Sequence, residues 1–163
     1  MTISLDKLFS GPESLRWAKA LRVYVGVIVV GNLVWEILQL PLYTLWSAAT
    51  WREQAFAVIH CTIGDGLIAL SALTVGVMIV ANNSWPADRF WPVASLAMAI
   101  GVAYTVFSEW LNVAVRGAWA YSESMPIIPI GSVRMGLSPL LQWIVVPAAA
   151  FVIVSRATAK LRN

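Results

Sequence analysis

Charge is scarce in this chain of 163 residues: Lys, Arg, Asp and Glu together make up 12%, against about 25% in an ordinary soluble domain. So little charge excludes a disordered chain and a nucleic-acid-binding module. Cysteine and histidine are scarcer still, with one of each, Cys61 and His60. A lone cysteine rules out an intrachain disulfide, and with it a secreted disulfide scaffold or a dithiol relay within the chain. A single histidine argues against bis-histidine haem ligation, and no H-E-x-x-H metal motif is present.

Apolar residues are abundant. They form 60% of the chain, whereas soluble domains carry about 45–50%. A soluble domain of this size still exposes roughly a third of its unfolded-chain surface, so lipid is the expected solvent. Four stretches have the roughly 20 apolar residues that a membrane span needs: about residues 21–40, 55–80, 90–115 and 138–155. Pro41 should end the first, the turn signal Asn82-Asn83-Ser84-Trp85-Pro86 the second, and Ser138-Pro139 should open the fourth as N-cap and first helical residue. Pro147 lies inside the fourth and should bend it. Residues 1–20 read as an interfacial segment, with a short helix after Gly11-Pro12-Glu13-Ser14. The expected fold is all-α: one polytopic membrane domain, a bundle of four transmembrane helices.

With four spans, Lys7, Arg16, Lys19, Arg22, Arg89, Arg156, Lys160 and Arg162 share one side, and only Arg52, Arg116 and Arg134 the other. The positive-inside rule then puts both termini in the cytoplasm of a cell-membrane protein, and it also accounts for the net charge of +3.

Ionisable and amide side chains inside such spans cost about 2.5–3.5 kcal/mol each when charged, which makes them functional candidates. Asn32, Glu36 and Gln39 lie at i, i+4, i+7, one stripe of a helix. Thr105, Glu109, Asn112 and Arg116 repeat that stripe and extend it. The second span holds His60, Cys61 and Asp65, with Gly64 and Gly66 flanking Asp65 to permit close approach, and the fourth holds Gln142. Alternating helix directions bring all of these into the extracytoplasmic leaflet, as a shared cavity requires. Trp35, Trp110 and Trp143 each adjoin a polar member of the set and are expected to wall the cavity, while six other tryptophans suit interfacial belts. The connection from Gly117 to Leu137 is long and proline-rich, suited to fold over the cavity mouth, with Glu123 and Arg134 bringing charge to it.

This set suits general acid–base chemistry, one carboxyl group acting as acid while another stays ionised beside His60 or Arg116. Glu36, His60, Asp65 and Glu109 are the catalytic candidates. Asn32, Gln39, Asn112, Arg116, Gln142, Trp35, Trp110 and Trp143 are the substrate-binding candidates. A substrate arriving from the bilayer would be lipid, isoprenoid or sterol-like, and the sequence names no cofactor.

In helix count, membrane carboxylates and a polar-plus-Trp final helix, the layout resembles the emopamil-binding sterol isomerase group. Asn32-x-x-x-Glu36 stands where that family carries His-x-x-x-Glu, and Gln142-Trp143 with Pro147 stands in its last helix. The resemblance implies a membrane isomerase, with the family's histidine replaced by Asn32. Two other readings stay open. One is a cation- or proton-binding transport protein using His60 with Glu36, Asp65 and Glu109. The other is an accessory subunit whose polar stripes meet a homo- or hetero-oligomeric partner, with small-residue seams at Ala72-x-x-x-Gly76 and Ala97-x-x-x-Gly101 that allow close helix packing within the chain or between chains.

Overall fold

A computed structural model describes residues 12–81, 85–131 and 133–159. Expectations resting on Lys7, Gly11, Asn82, Asn83, Ser84, Lys160 and Arg162 lie outside them. Among the described residues, four helices are long and apolar enough to cross a membrane, by length and composition. They are α1 (Pro12–Gln39), α2 (Trp51–Gly76), α3 (Phe90–Glu109) and α4 (Leu137–Ala159). α1 packs on α2 and α4, and α3 packs on the same two, so the helices close a four-membered ring.

Local chemistry sets their ends. Among the described residues, the helix expected after Gly11-Pro12-Glu13-Ser14 runs without a break into the first span: the chain is helical from Pro12 to Gln39, and that helix buries Ala20 and Tyr24. After Gln39 the helix tightens into a 3₁₀ turn at Leu40–Leu42, where Pro41 cannot donate to an α-helical ladder. α2 starts at Trp51 because Thr50 and Glu53 form a capping box, in which Thr50 N–H donates to Glu53 Oε2 at 2.8 Å. α4 begins one residue before Ser138, so that serine does not act as the expected N-cap. Instead Leu137 N–H donates to Pro126 O at 2.8 Å, which frees the Ser138 hydroxyl. The helix continues through Pro147 to Ala159.

The core fills the end of the bundle near Trp85, where Tyr24, Ile28, Ala72, Leu73, Val93, Phe151 and Val154 are buried. Both small-residue seams are used inside the chain. A Cβ at Gly76 would sit 3.2 Å from Val93 O, and one at Gly101 would lie 2.5 Å from Trp143 Cζ3. A Cβ at Gly64 or Gly66 would meet nothing within 4 Å, so neither glycine serves close helix packing.

Two connections pair at the opposite end. The long one carries a hairpin, β1 (Ile127–Ile130) antiparallel to β2 (Val133–Gly136), a small addition to the expected all-helical fold. It also pairs with the α1–α2 connection: Thr44 N–H donates to Ala120 O at 3.0 Å and Ser122 N–H to Leu42 O at 2.9 Å, with Tyr43 opposite Tyr121.

Candidate functional site

Gln142, buried in the second turn of α4, is the hub of a polar network that joins three helices. Its Nε2 lies 2.9 Å from Asn32 Oδ1, 3.0 Å from Glu36 Oε1 and 2.9 Å from Asp65 Oδ2. An amide nitrogen has two hydrogens, so these three acceptors share them. Gln39 Nε2 donates to Gln142 Oε1 at 3.1 Å and to Glu36 Oε1 at 2.9 Å. Ser138 donates to Gln39 Oε1 at 2.8 Å and accepts from Trp35 Nε1 at 3.1 Å. The i, i+4, i+7 stripe of α1 is therefore satisfied almost wholly by α4.

Glu36 and Asp65 are also within hydrogen-bonding reach of each other. Ionised carboxylates only accept, so a bond between them requires one to hold a proton. Counted from Trp51, Asp65 lies about 21 Å along α2 at 1.5 Å per residue, and the Trp143 indole lies beside it. Glu109 closes α3 and accepts from the Tyr121 hydroxyl. Burial first, and then the bond to Glu109, push the Tyr121 phenol up from its ordinary value; burial does the same for Tyr43. Both phenols therefore stay protonated, and Tyr121 remains a donor.

These groups border one cavity of about 350 Å³. Glu36, Gln39, Asp65, Glu109, Asn112, Gln142 and Trp143 line it, together with Tyr43, Tyr104, Ser108 and Trp119. His60 reaches only its rim, exposed, with its ring stacked on Phe56 at 5.6 Å. Four expected members do not line the cavity. Asn32 stands behind Gln142, its own Nδ2 donating to Ile28 O at 2.9 Å. Trp35 is held away on Ser138. Trp110 is 41% exposed and packs on Phe107 at 6.0 Å.

Arg116 is exposed outside the cavity because α3 widens into a π-type turn at Trp110–Val115. A wider turn advances each residue through a smaller angle, so seven residues no longer bring Arg116 back over Glu109. Asn112, only three residues past Glu109, stays on the cavity and donates to Ser108 O at 2.9 Å. Glu123 and Arg134 are exposed and line no part of the cavity, so the connection brings no charge to it. Among the described residues, His60, Glu36, Asp65 and Glu109 do not converge as metal donors.

Tyr43, Trp119 and Tyr121 are site residues that the helix pattern does not announce. All three sit in connections, and their one sequence signal is that both aromatic-bearing connections fall on the side where the polar stripes end. Comparison with protein-family models, curated proteins and solved structures finds no match for this chain.

Proposed function

We propose that this chain is an integral protein of the cell membrane with both termini in the cytoplasm. Its cavity lies in the extracytoplasmic leaflet and carries out acid–base chemistry on a lipid, isoprenoid or sterol-like molecule. The observation that carries this reading is the division of carboxyl groups within one small chamber. Glu36 and Asp65 stand within hydrogen-bonding reach of each other, a contact that needs one proton between two carboxylates, while Glu109 accepts from the Tyr121 phenol. A proton donor and a proton acceptor facing the same space are the two partners that general acid–base catalysis needs. In this reading Asp65 with Glu36 is the acid, Glu109 is the base, and Gln142 and Gln39 orient the acid pair. Trp143 and Trp119 supply flat walls, and His60 stands at the mouth.

The inward-facing stripes favour this reading over an accessory subunit, whose polar residues would face a partner. Both small-residue seams are likewise occupied within the chain. The test begins with mass spectrometry of lipids that co-purify with the protein, followed by an assay of their conversion in liposomes. Asp65→Asn and Glu109→Gln should each lower turnover by about 10²–10⁴-fold while both proteins still fold. Undiminished conversion by both variants refutes the assignment.

A further inference from the structure

α2 and α3 pack tightly at one end of the bundle, while Gly64 of α2 stands beside open space toward the other. Near Trp85 they touch closely: a Cβ at Gly76 would lie 3.2 Å from Val93 O and 3.7 Å from Ala97 N. Twelve residues earlier on α2, about 18 Å away at 1.5 Å per residue, Gly64 lines the cavity and a Cβ there would meet nothing within 4 Å. Tyr104 of α3 lines the same cavity and is 46% exposed. The α1–α4 seam shows no such gap, since a Cβ at Gly31 would come within 2.7 Å of Val146 Cγ1. The bundle end is covered where Tyr43 pairs with Tyr121. The open side of the cavity therefore lies at Gly64 and Tyr104, on the flank between α2 and α3.

Its size limits what enters. About 350 Å³ holds roughly a dozen water-sized groups at about 30 Å³ each, enough for a head group and a few carbons. A longer chain must trail out past Gly64.

The polar lining selects the head. Among the described residues, no Lys or Arg lines the cavity and three carboxyl groups do, which disfavours an anionic head. The Trp119 Nε1–H is buried and turned toward Glu109 at a geometry too poor for a full hydrogen bond, an arrangement that a ligand hydroxyl or a water completes. Glu109 accepts from Tyr121 through Oε2, and a carboxylate has further lone pairs with which to accept from a ligand. An ammonium can only donate and an ionised phosphate can only accept, whereas a hydroxyl does both.

We infer that the cavity binds the hydroxyl head of a long-chain alcohol, held between Glu109 and Trp119, with its apolar chain passing through a lateral portal at Gly64 into the bilayer. This rests on the membrane reading above but not on catalysis, so binding is the readout. Oleyl alcohol, oleyl phosphate and oleylamine share one chain and differ only in the head. Their affinities for the purified full-length protein are compared by native mass spectrometry from detergent.

The alcohol should bind at least about tenfold more tightly than either analogue, the equivalent of about 1.4 kcal/mol, and Trp119→Phe should erase that preference. Gly64→Leu, which fills open space, should abolish binding. Gly66→Leu, equally free of neighbours but outside the cavity, should leave binding intact. Equal or tighter binding of the phosphate or the amine, failure of all three to bind, or an unchanged preference in Trp119→Phe overturns the head-group assignment. Wild-type binding by a folded Gly64→Leu overturns the portal. Should Gly64→Leu not fold, a photoreactive oleyl alcohol decides the portal in the wild-type protein: crosslinks at residues 57–64 and 104–108 support it, and crosslinks confined to α1 and α4 refute it.

Discussion

Replacing Gln142 with Leu removes an α4 side chain that hydrogen-bonds to both α1 and α2. Its amide hydrogens serve Asn32, Glu36 and Asp65, and its oxygen accepts from Gln39. Two hydrogens and one carbonyl make three hydrogen bonds at any moment. Interhelical bonds in membrane proteins contribute about 0.6–1.7 kcal/mol each, so their loss amounts to about 2–5 kcal/mol. Leu has nearly the volume of Gln and packs acceptably at a buried site, which places the expected cost in the lower half, about 2–3 kcal/mol. Reversible unfolding in mixed detergent micelles with increasing dodecyl sulfate measures it. Ile144→Ala, at a position 47% exposed on the outer face, is the matched control and should cost much less. If Gln142→Leu stays within about 0.5 kcal/mol of wild type, the range of an ordinary surface change, the network does not hold the helices together.

Gly101→Ala places a methyl against the Trp143 ring and should destabilise by about 1–3 kcal/mol through overpacking. Gly66→Ala, with open space around it, should instead gain about 0.5–1 kcal/mol of helix stability; equal effects of the two in the same unfolding assay would contradict the packing described. Tyr121 holds its proton more tightly folded than unfolded, where its phenol titrates near pH 10.0. Its contribution is complete below that pH and is lost as pH rises through the higher native value. Stability measured from about pH 8 to 11 should therefore decline less steeply in Tyr121→Phe, and parallel curves would refute the buried Tyr121–Glu109 contact.

The sequence makes the helices legible because each is long and apolar over a whole span's length, whatever it packs against. The stripe of Asn32, Glu36 and Gln39 is equally legible, since α1 is regular over those turns and an i, i+4, i+7 spacing maps onto one face. The same rule fails at Arg116, where the π-type turn after Glu109 changes the angular step. It places His60 well off the Asp65 face, and the structure leaves that ring at the rim. The glycines beside Asp65 signal open space as readily as close packing, and only the positions of the neighbouring helices decide between them. The Thr50–Glu53 capping box is a local signal that lengthens α2 beyond its apolar run. Tyr43, Trp119 and Tyr121 are harder to read, because backbone bonds between residues almost eighty apart position them, such as Thr44 to Ala120. No local pattern encodes which two connections will pair.

α2 and α4 stand diagonally across the ring, so Asp65 and Gln142 can couple only if their side chains meet in a shared interior chamber. A double-mutant cycle of Asp65→Ala and Gln142→Leu, measured by unfolding in mixed micelles, tests that meeting most directly. A coupling energy of about 0.6–1.7 kcal/mol is expected, and strictly additive effects would contradict the chamber.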